Sequence, residues 1–122
     1  MDPVTLDNLI SDRGSRYAAS GGAVRSRAEA KDFLKALKRQ KKFARATHNS
    51  WAVMLPDSGL LKGDDGEAGA GLIIGRVLEG AGAQNLIIVV TRWYGGTHLG
   101  GDRFRHVTSA NQAFLTHWAK TR

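Results

Sequence analysis

The chain of 122 residues predicts an α+β fold: a two-layer sandwich with one mostly antiparallel or mixed sheet carrying helices on one face. Three observations point there. "SRAEAKDFLKALKRQKKFA" (26–44) repeats its apolar residues with a helical period, "LIIVVT" (86–91) is a short β-branched run, and segments of these two kinds alternate along the chain.

Each element has its own signal. "SRYAASGGAV" (15–24) reads as a short strand around Tyr17, with Gly21-Gly22 marking a turn or bulge near its end. In the segment 26–44, Ser26 followed by Glu29 is a capping box, and Ala30, Phe33, Leu34 and Leu37 line one helix face. Lys31, Lys35, Lys38 and Lys42 recur on its other side, as a solvated face or a basic contact stripe. "HNSWAVMLP" (48–56) is a strand ending at Pro56, and Trp51 is expected in the core; "DSGLLKGDDGE" (57–67) reads as an acidic turn. "AGAGLIIGRVLEGAG" (68–82) reads as a helix with Leu72, Ile73, Val77 and Leu78 on its stripe. Gly80 and Gly82 stop it, and Gly71 and Gly75 mark close packing. The run 86–91 is a central strand. Phe104, Val107, Ala110 or Asn111, Phe114 and Trp118 line a last helix. The expected order is strand, helix, strand, helix, strand, helix.

Length fits a single domain over 1–122. Apolar residues at 42% and charged residues at 24% are ordinary for a globular chain, while 15 glycines exceed the usual share of about 7% and mark turns. The absence of Cys excludes disulfides and thiolate metal sites. "MDPVTLDNLI" lacks the basic start and apolar core of a signal peptide, and no apolar run approaches a membrane span, so a cytoplasmic location and no membrane partner are expected. The net charge of +7 is the footprint of a nucleic-acid, ribosome or acidic-protein partner.

Three groups are candidate sites. Asp64, Asp65 and Glu67 either hold Mg2+ through oxygen ligands or form an Asp/Gly turn in which Asp65 or Glu67 caps the next helix; the turn is favoured, and the spacing is not that of a calcium loop. His48 and Asn49 open a strand, with no second His at zinc-site spacing. "TRWYGGTHLGGDRFRH" (91–106) has the makings of an anion cradle, since Gly allows close approach and helix N-terminal N–H groups attract anions. It lacks the spacing of a P-loop or a dinucleotide fingerprint. Asp102 occupies an N-cap position, Arg92, Arg103 and Arg105 suit bidentate phosphate contacts, and Arg92 equally suits pairing with the acidic turn. No GxSxG or Cys supports a nucleophile. No catalytic residue, metal site or cofactor is expected.

"DRGSRYAA" (12–19), "ATHNSWA" (46–52), "DDGE" (64–67) and "VTRWYGGTHLGGDRFRHV" (90–107) together resemble the Impact family, whose bacterial members include the YigZ-like proteins; the "DRF" and "ATHN" details look closer to the eukaryotic version. The resemblance spans roughly Leu6 to Trp118. It implies the α+β sandwich of domain two of ribosomal small-subunit protein five and domain four of elongation factor G. It also implies a regulator of translation that competes for the ribosome-associated activator of a starvation-sensing kinase, with actin as another partner. The family motif falls on Asp12, Arg13, Ser15, His48, Asn49, Asp64, Asp65, Glu67, Arg92, Tyr94, Gly95, Gly96, Gly100, Asp102, Arg103 and His106. The RWD domain of eukaryotic members and the C-terminal ferredoxin-like domain of longer bacterial ones are not expected here.

The leading expectation is therefore a non-enzymatic binding module of translation or its stress regulation, touching RNA, the ribosome or a ribosome-associated protein. Its contact residues are Arg92, Tyr94, Gly95, Gly96, His98, Asp102, Arg103, Arg105, His106 and the lysines 31, 35, 38 and 42. The alternative is a metal-assisted phosphoryl or ester hydrolase, with Asp64, Asp65 and Glu67 on the metal and Arg92, His98 and His106 on the substrate.

Overall fold

The computed structural model describes residues 2–121. The chain runs β1 (Val4–Asp12), β2 (Ser15–Ala23), α1 (Arg27–Lys38), α2 (Lys41–Ala44), β3 (His48–Leu55), β4 (Gly59–Gly63), α3 (Ala70–Gly80), β5 (Leu86–Trp93) and α4 (Asp102–Lys120). The strands form one sheet in the order β1-β2-β5-β3-β4, and every neighbouring pair is antiparallel. The last strand in sequence thus sits in the middle, which is why "LIIVV" is uniformly apolar.

Side chains of β5 alternate between two cores. Leu86, Ile88 and Val90 join Ile74, Leu78, Val107 and Phe114 from α3 and α4, while Ile87 and Val89 join Phe33, Leu37 and Phe43 from α1 and α2. The α+β class and the antiparallel sheet are as predicted, but the helices cover both faces rather than one. An amphipathic α1 has to bury Phe33 and Leu37, and only the second face of the sheet offers an apolar surface for them. Each side chain so buried contributes about 1.5–3 kcal/mol.

Local signals explain most elements. Ser26 Oγ accepts from Glu29 N–H at 3.1 Å, and Glu29 answers by accepting from Arg25 N–H at 2.8 Å, one residue earlier than the standard box. The predicted helix 26–44 breaks at Gln40, whose ψ of 120° is extended, so Lys42 lies on α2, away from the α1 stripe. No Gly or Pro stands there; turning the chain is what buries Phe43. Two strands escape the predicted order. β1 lacks clean alternation because its register shifts between Leu6 and Ile10, where Asn8 has φ 50°. β4 is five residues between glycines and reads as a turn.

Gly21 and Gly22 are strand residues, not a turn. A Cβ on Gly21 would lie 2.5 Å from the Phe114 ring, and one on Gly22 would lie 2.8 Å from the Phe33 ring. The two aromatic rings press on adjacent residues from opposite faces. On α3 the buried stripe is Ala70, Gly71, Ile74, Gly75 and Leu78, with Leu72 exposed. Gly71 and Gly75 do mark close packing, against Asp64 and Leu60. Trp51 is half-buried over Gly63.

Candidate functional site

Antiparallel pairing brings the start of β2, the end of β5, the start of β3 and the turn after β4 to one end of the sheet. The family-motif residues lie there, on the adjoining β1–β2 turn and glycine loop, and on the first turns of α4, which Asp102 and His106 tie to the β1–β2 turn. The backbones cross at Gly14 and Gly95: a Cβ on Gly95 would stand 2.0 Å from the Gly14 carbonyl carbon. Gly95 N–H donates to Ser15 Oγ, and Tyr94 N–H donates to Thr47 Oγ1. These bonds tie the glycine loop down to β2 and to the segment before β3.

Beneath the loop, Arg92 is 5% exposed and lies between the rings of Tyr17 and Tyr94, each centroid 5.8 Å away. Its Nη1 donates to Glu67 at 3.1 Å, and Glu67 is also buried. His48 Nε2 is 3.1 Å from the same carboxylate, and His48 Nδ1 is 2.8 Å from the Asp65 carbonyl. Burial pushes the Tyr17 phenol up to about 12. The Tyr17 hydroxyl, Arg92 Nε and Arg103 Nε have no hydrogen-bond partner among the described residues.

A second cluster joins the β1–β2 turn to α4. Arg13 bridges Asp12 and Asp102, reaching the latter at 2.6 Å, and His106 Nε2 meets Asp12 at 2.7 Å. The hydrogen bond from Arg13, then that from His106, lowers the Asp12 carboxyl from 3.8 to about 2. The Arg13 guanidinium moves up in turn, chiefly through Asp12. Asp102 does not cap α4: Gly101 is the N-cap, and the Asp102 side chain faces Arg13 and Arg105 instead.

The acidic turn separates its three carboxylates. Asp64 accepts from the N–H groups of Gly71 at 2.8 Å and Gly69 at 3.2 Å, which hold its carboxyl below the usual range. Asp64, rather than Asp65 or Glu67, therefore satisfies the start of α3. Asp65 accepts from Asn49 N–H, and Asn49 donates to the Phe43 carbonyl and accepts from Thr91. Glu67 belongs to Arg92. The turn and the glycine loop thus meet in space, but through a closed ion pair, and no group of three His, Asp or Glu side chains able to hold a metal occurs among the described residues.

The remaining predicted residues face outward. Tyr94 and His98 stack loosely with ring centroids 5.4 Å apart, while Gly96, Gly100 and Arg105 are exposed. Arg103 lies over the Phe104 ring at 4.6 Å. Lys31, Lys35 and Lys38 are exposed on α1 and form no ion pair among the described residues; Lys42 pairs with Asp7 at 2.7 Å. Residues 27–45, which span α1 and α2, carry eight Lys or Arg against two carboxylates, a net +6 of the chain's +7. Tyr17, Thr47 and Thr91 fall outside the predicted set. Tyr17 sits two residues after Ser15 on the same strand face, a period-two signal that was there to read.

Fold and motif geometry together define a small α+β domain with an internally paired signature at one sheet end. The chain belongs to the Impact family: the family model described as the Impact N-terminal domain matches residues 13–115. It is 37% identical over 111 residues to the protein IMPACT homolog of Schizosaccharomyces pombe, covering 87% of this chain and 40% of that protein. The homolog of Caenorhabditis elegans is 36% identical over 117 residues, covering 88% and 45%. The chain thus spans less than half the length of these relatives. Among solved structures, a crystal structure of a hypothetical protein matches with TM-score 0.78 at 27% identity, covering 94% of this chain and 57% of that one. The two-domain translational regulator Yih1 matches with TM-score 0.54 at 33% identity, covering 95% and 45%.

Proposed function

We propose that this domain is a binding module of translation regulation, working in the cytoplasm, whose α1–α2 face contacts RNA of the translation apparatus. One observation carries the reading: a net +6 concentrated in nineteen consecutive residues, with Lys31, Lys35 and Lys38 exposed and unpaired among the described residues. Cations without internal partners are the ones that can neutralise phosphates. Family membership and the likeness to a translational regulator support the setting. His98 on the exposed loop, and the part-buried Arg103 and the Asp102-paired Arg105 in the first turn of α4, are secondary contacts in this reading.

Binding of a labelled single-stranded RNA, followed by fluorescence anisotropy from low to high salt, tests it. Log K should fall by about 0.7 per log unit of salt for each phosphate contact. Lys35→Glu should weaken binding and flatten that slope. An affinity indifferent to salt would sink the reading. Capture of an acidic protein that survives nuclease treatment would replace RNA by a protein such as the kinase activator or actin suggested by the family resemblance.

A further inference from the structure

Beside α2, where the second face of the sheet runs out toward β1, lies an open cleft of about 190 Å3 lined by Asp7, Asn8, Arg16, Lys42 and Trp93. The β1 bulge builds one wall: the positive φ of Asn8 turns Asp7 and Asn8 out of the regular ladder. The end of β5 builds the floor. Trp93 pairs in register with Arg16, its Nε1–H donates to the Lys42 carbonyl at 2.9 Å, and its ring packs on Phe43 with centroids 5.7 Å apart. The indole is therefore held in place while remaining half-exposed. Arg16 lies over the ring at a loose 5.9 Å. Neither its guanidinium nor the Asn8 amide has a hydrogen-bond partner among the described residues.

We infer that this cleft is a stacking subsite for one unpaired nucleobase, with the phosphates on either side running onto the α1–α2 cations. The inference rests on the RNA-contact reading and names where a base would go. A fixed aromatic face stacks any base, and the exposed Arg16 guanidinium, already over the indole, can stack on the base's other side. The Asp7 carboxylate and the Asn8 amide stand at the rim, where a base edge falls. Asp7 already takes the Lys42 ammonium on one oxygen at 2.7 Å, and its other oxygen can accept from an exocyclic amino group, which uracil lacks. Lys42 leads from the rim to the cationic face. A duplex, whose bases are already stacked, gains nothing from the cleft.

The test uses the full chain with equal-length oligo(C), oligo(A) and oligo(U), a duplex of the same length, and CMP alone. Anisotropy reports binding, and tryptophan emission reports stacking. Oligo(C) and oligo(A) should bind more tightly than oligo(U) and quench the emission. Trp93→Leu should weaken single-strand binding about fivefold to a hundredfold and remove the quench, leaving duplex binding unchanged. Arg16→Ala, at an exposed position where folding is not at stake, should weaken the single strand more than the duplex. Asp7→Ala should erase the preference over oligo(U). If Trp93→Leu and Arg16→Ala leave single-strand binding as it was, or weaken duplex equally, the subsite is overturned while the cationic-face reading stands. If no RNA binds in a salt-dependent way, the cationic-face reading falls; quenching by CMP then keeps the cleft as a free-nucleotide site, and no quenching overturns it as well.

Discussion

Arg92 and Lys35 are both cations in segments that the sequence marks as contact candidates, yet the fold treats them in opposite ways. Arg92 is enclosed by Tyr17, Tyr94 and Glu67. Lys35 stands on the open side of α1 with no ion-pair partner among the described residues. The glycine loop and its acidic turn form an internal lock, whereas Lys31, Lys35 and Lys38 on α1 have no ion-pair partner among the described residues. A motif rich in Arg, His, Asp and Gly is thus spent largely on holding strand ends together, and the plainer lysine helix is the one whose charges go unanswered among the described residues.

The sharpest way to break this contrast is at the crossing. Gly95→Ala puts a methyl into the Gly14 backbone, which cannot give way, and should prevent folding as judged by circular dichroism. Gly101→Ala, six residues on in open space, should change stability by no more than about 0.5 kcal/mol. Glu67→Ala comes next. It leaves Arg92 buried without its counter-charge and should cost about 3–5 kcal/mol in chemical denaturation, while Glu67→Ala with Arg92→Met should cost less than that single change.

A smaller effect separates the outer cluster. Asp12 is depressed from 3.8 to about 2 by Arg13 and His106, so the folded state holds its proton less readily than the unfolded one. Its stabilisation is complete above about pH 4 and fades as pH falls toward 2. Asp12→Asn should therefore lose less stability than wild type across that window in acid melts. The smallest change belongs to the lysine face. Ala at Lys31, Lys35 and Lys38 together should shift unfolding by only a few tenths of a kcal/mol each while lowering the salt slope of RNA binding. A large stability loss there would make α1's outer side structural too.

Helices and central strands were legible because their burial is periodic: Phe33 and Leu37 on α1, Val107 and Phe114 on α4, and the two-sided run of β5. β1 was not, since the bulge at Asn8 breaks the alternation on which strand reading depends. The break before α2 was also invisible, because Arg39 and Gln40 favour helix and only the burial of Phe43 turns the chain. At the site, the residues of the motif could be named from sequence, and the possible pairing of Arg92 with the acidic turn could be stated. Which carboxylate did what could not. Asp64, Asp65 and Glu67 differ only by position, and three-dimensional neighbours assign them to a helix start, a strand N–H and an arginine. The Trp93 cleft joins residues up to 86 positions apart in sequence, from Asp7 to Trp93, so no local pattern announces it.

Gly21 and Gly22 have a consequence for how this protein can change. With Phe114 against one and Phe33 against the other, the sheet at that point is only a backbone thick. The core of Ile74, Leu78 and Phe114 and the core of Phe33, Leu37 and Phe43 lie on opposite faces of this strand. Here they share a wall with no padding. A larger residue at either glycine displaces a ring on its own side and shifts the strand toward the other, so sequence drift in α1 and in α4 is coupled through two residues that have no side chains at all.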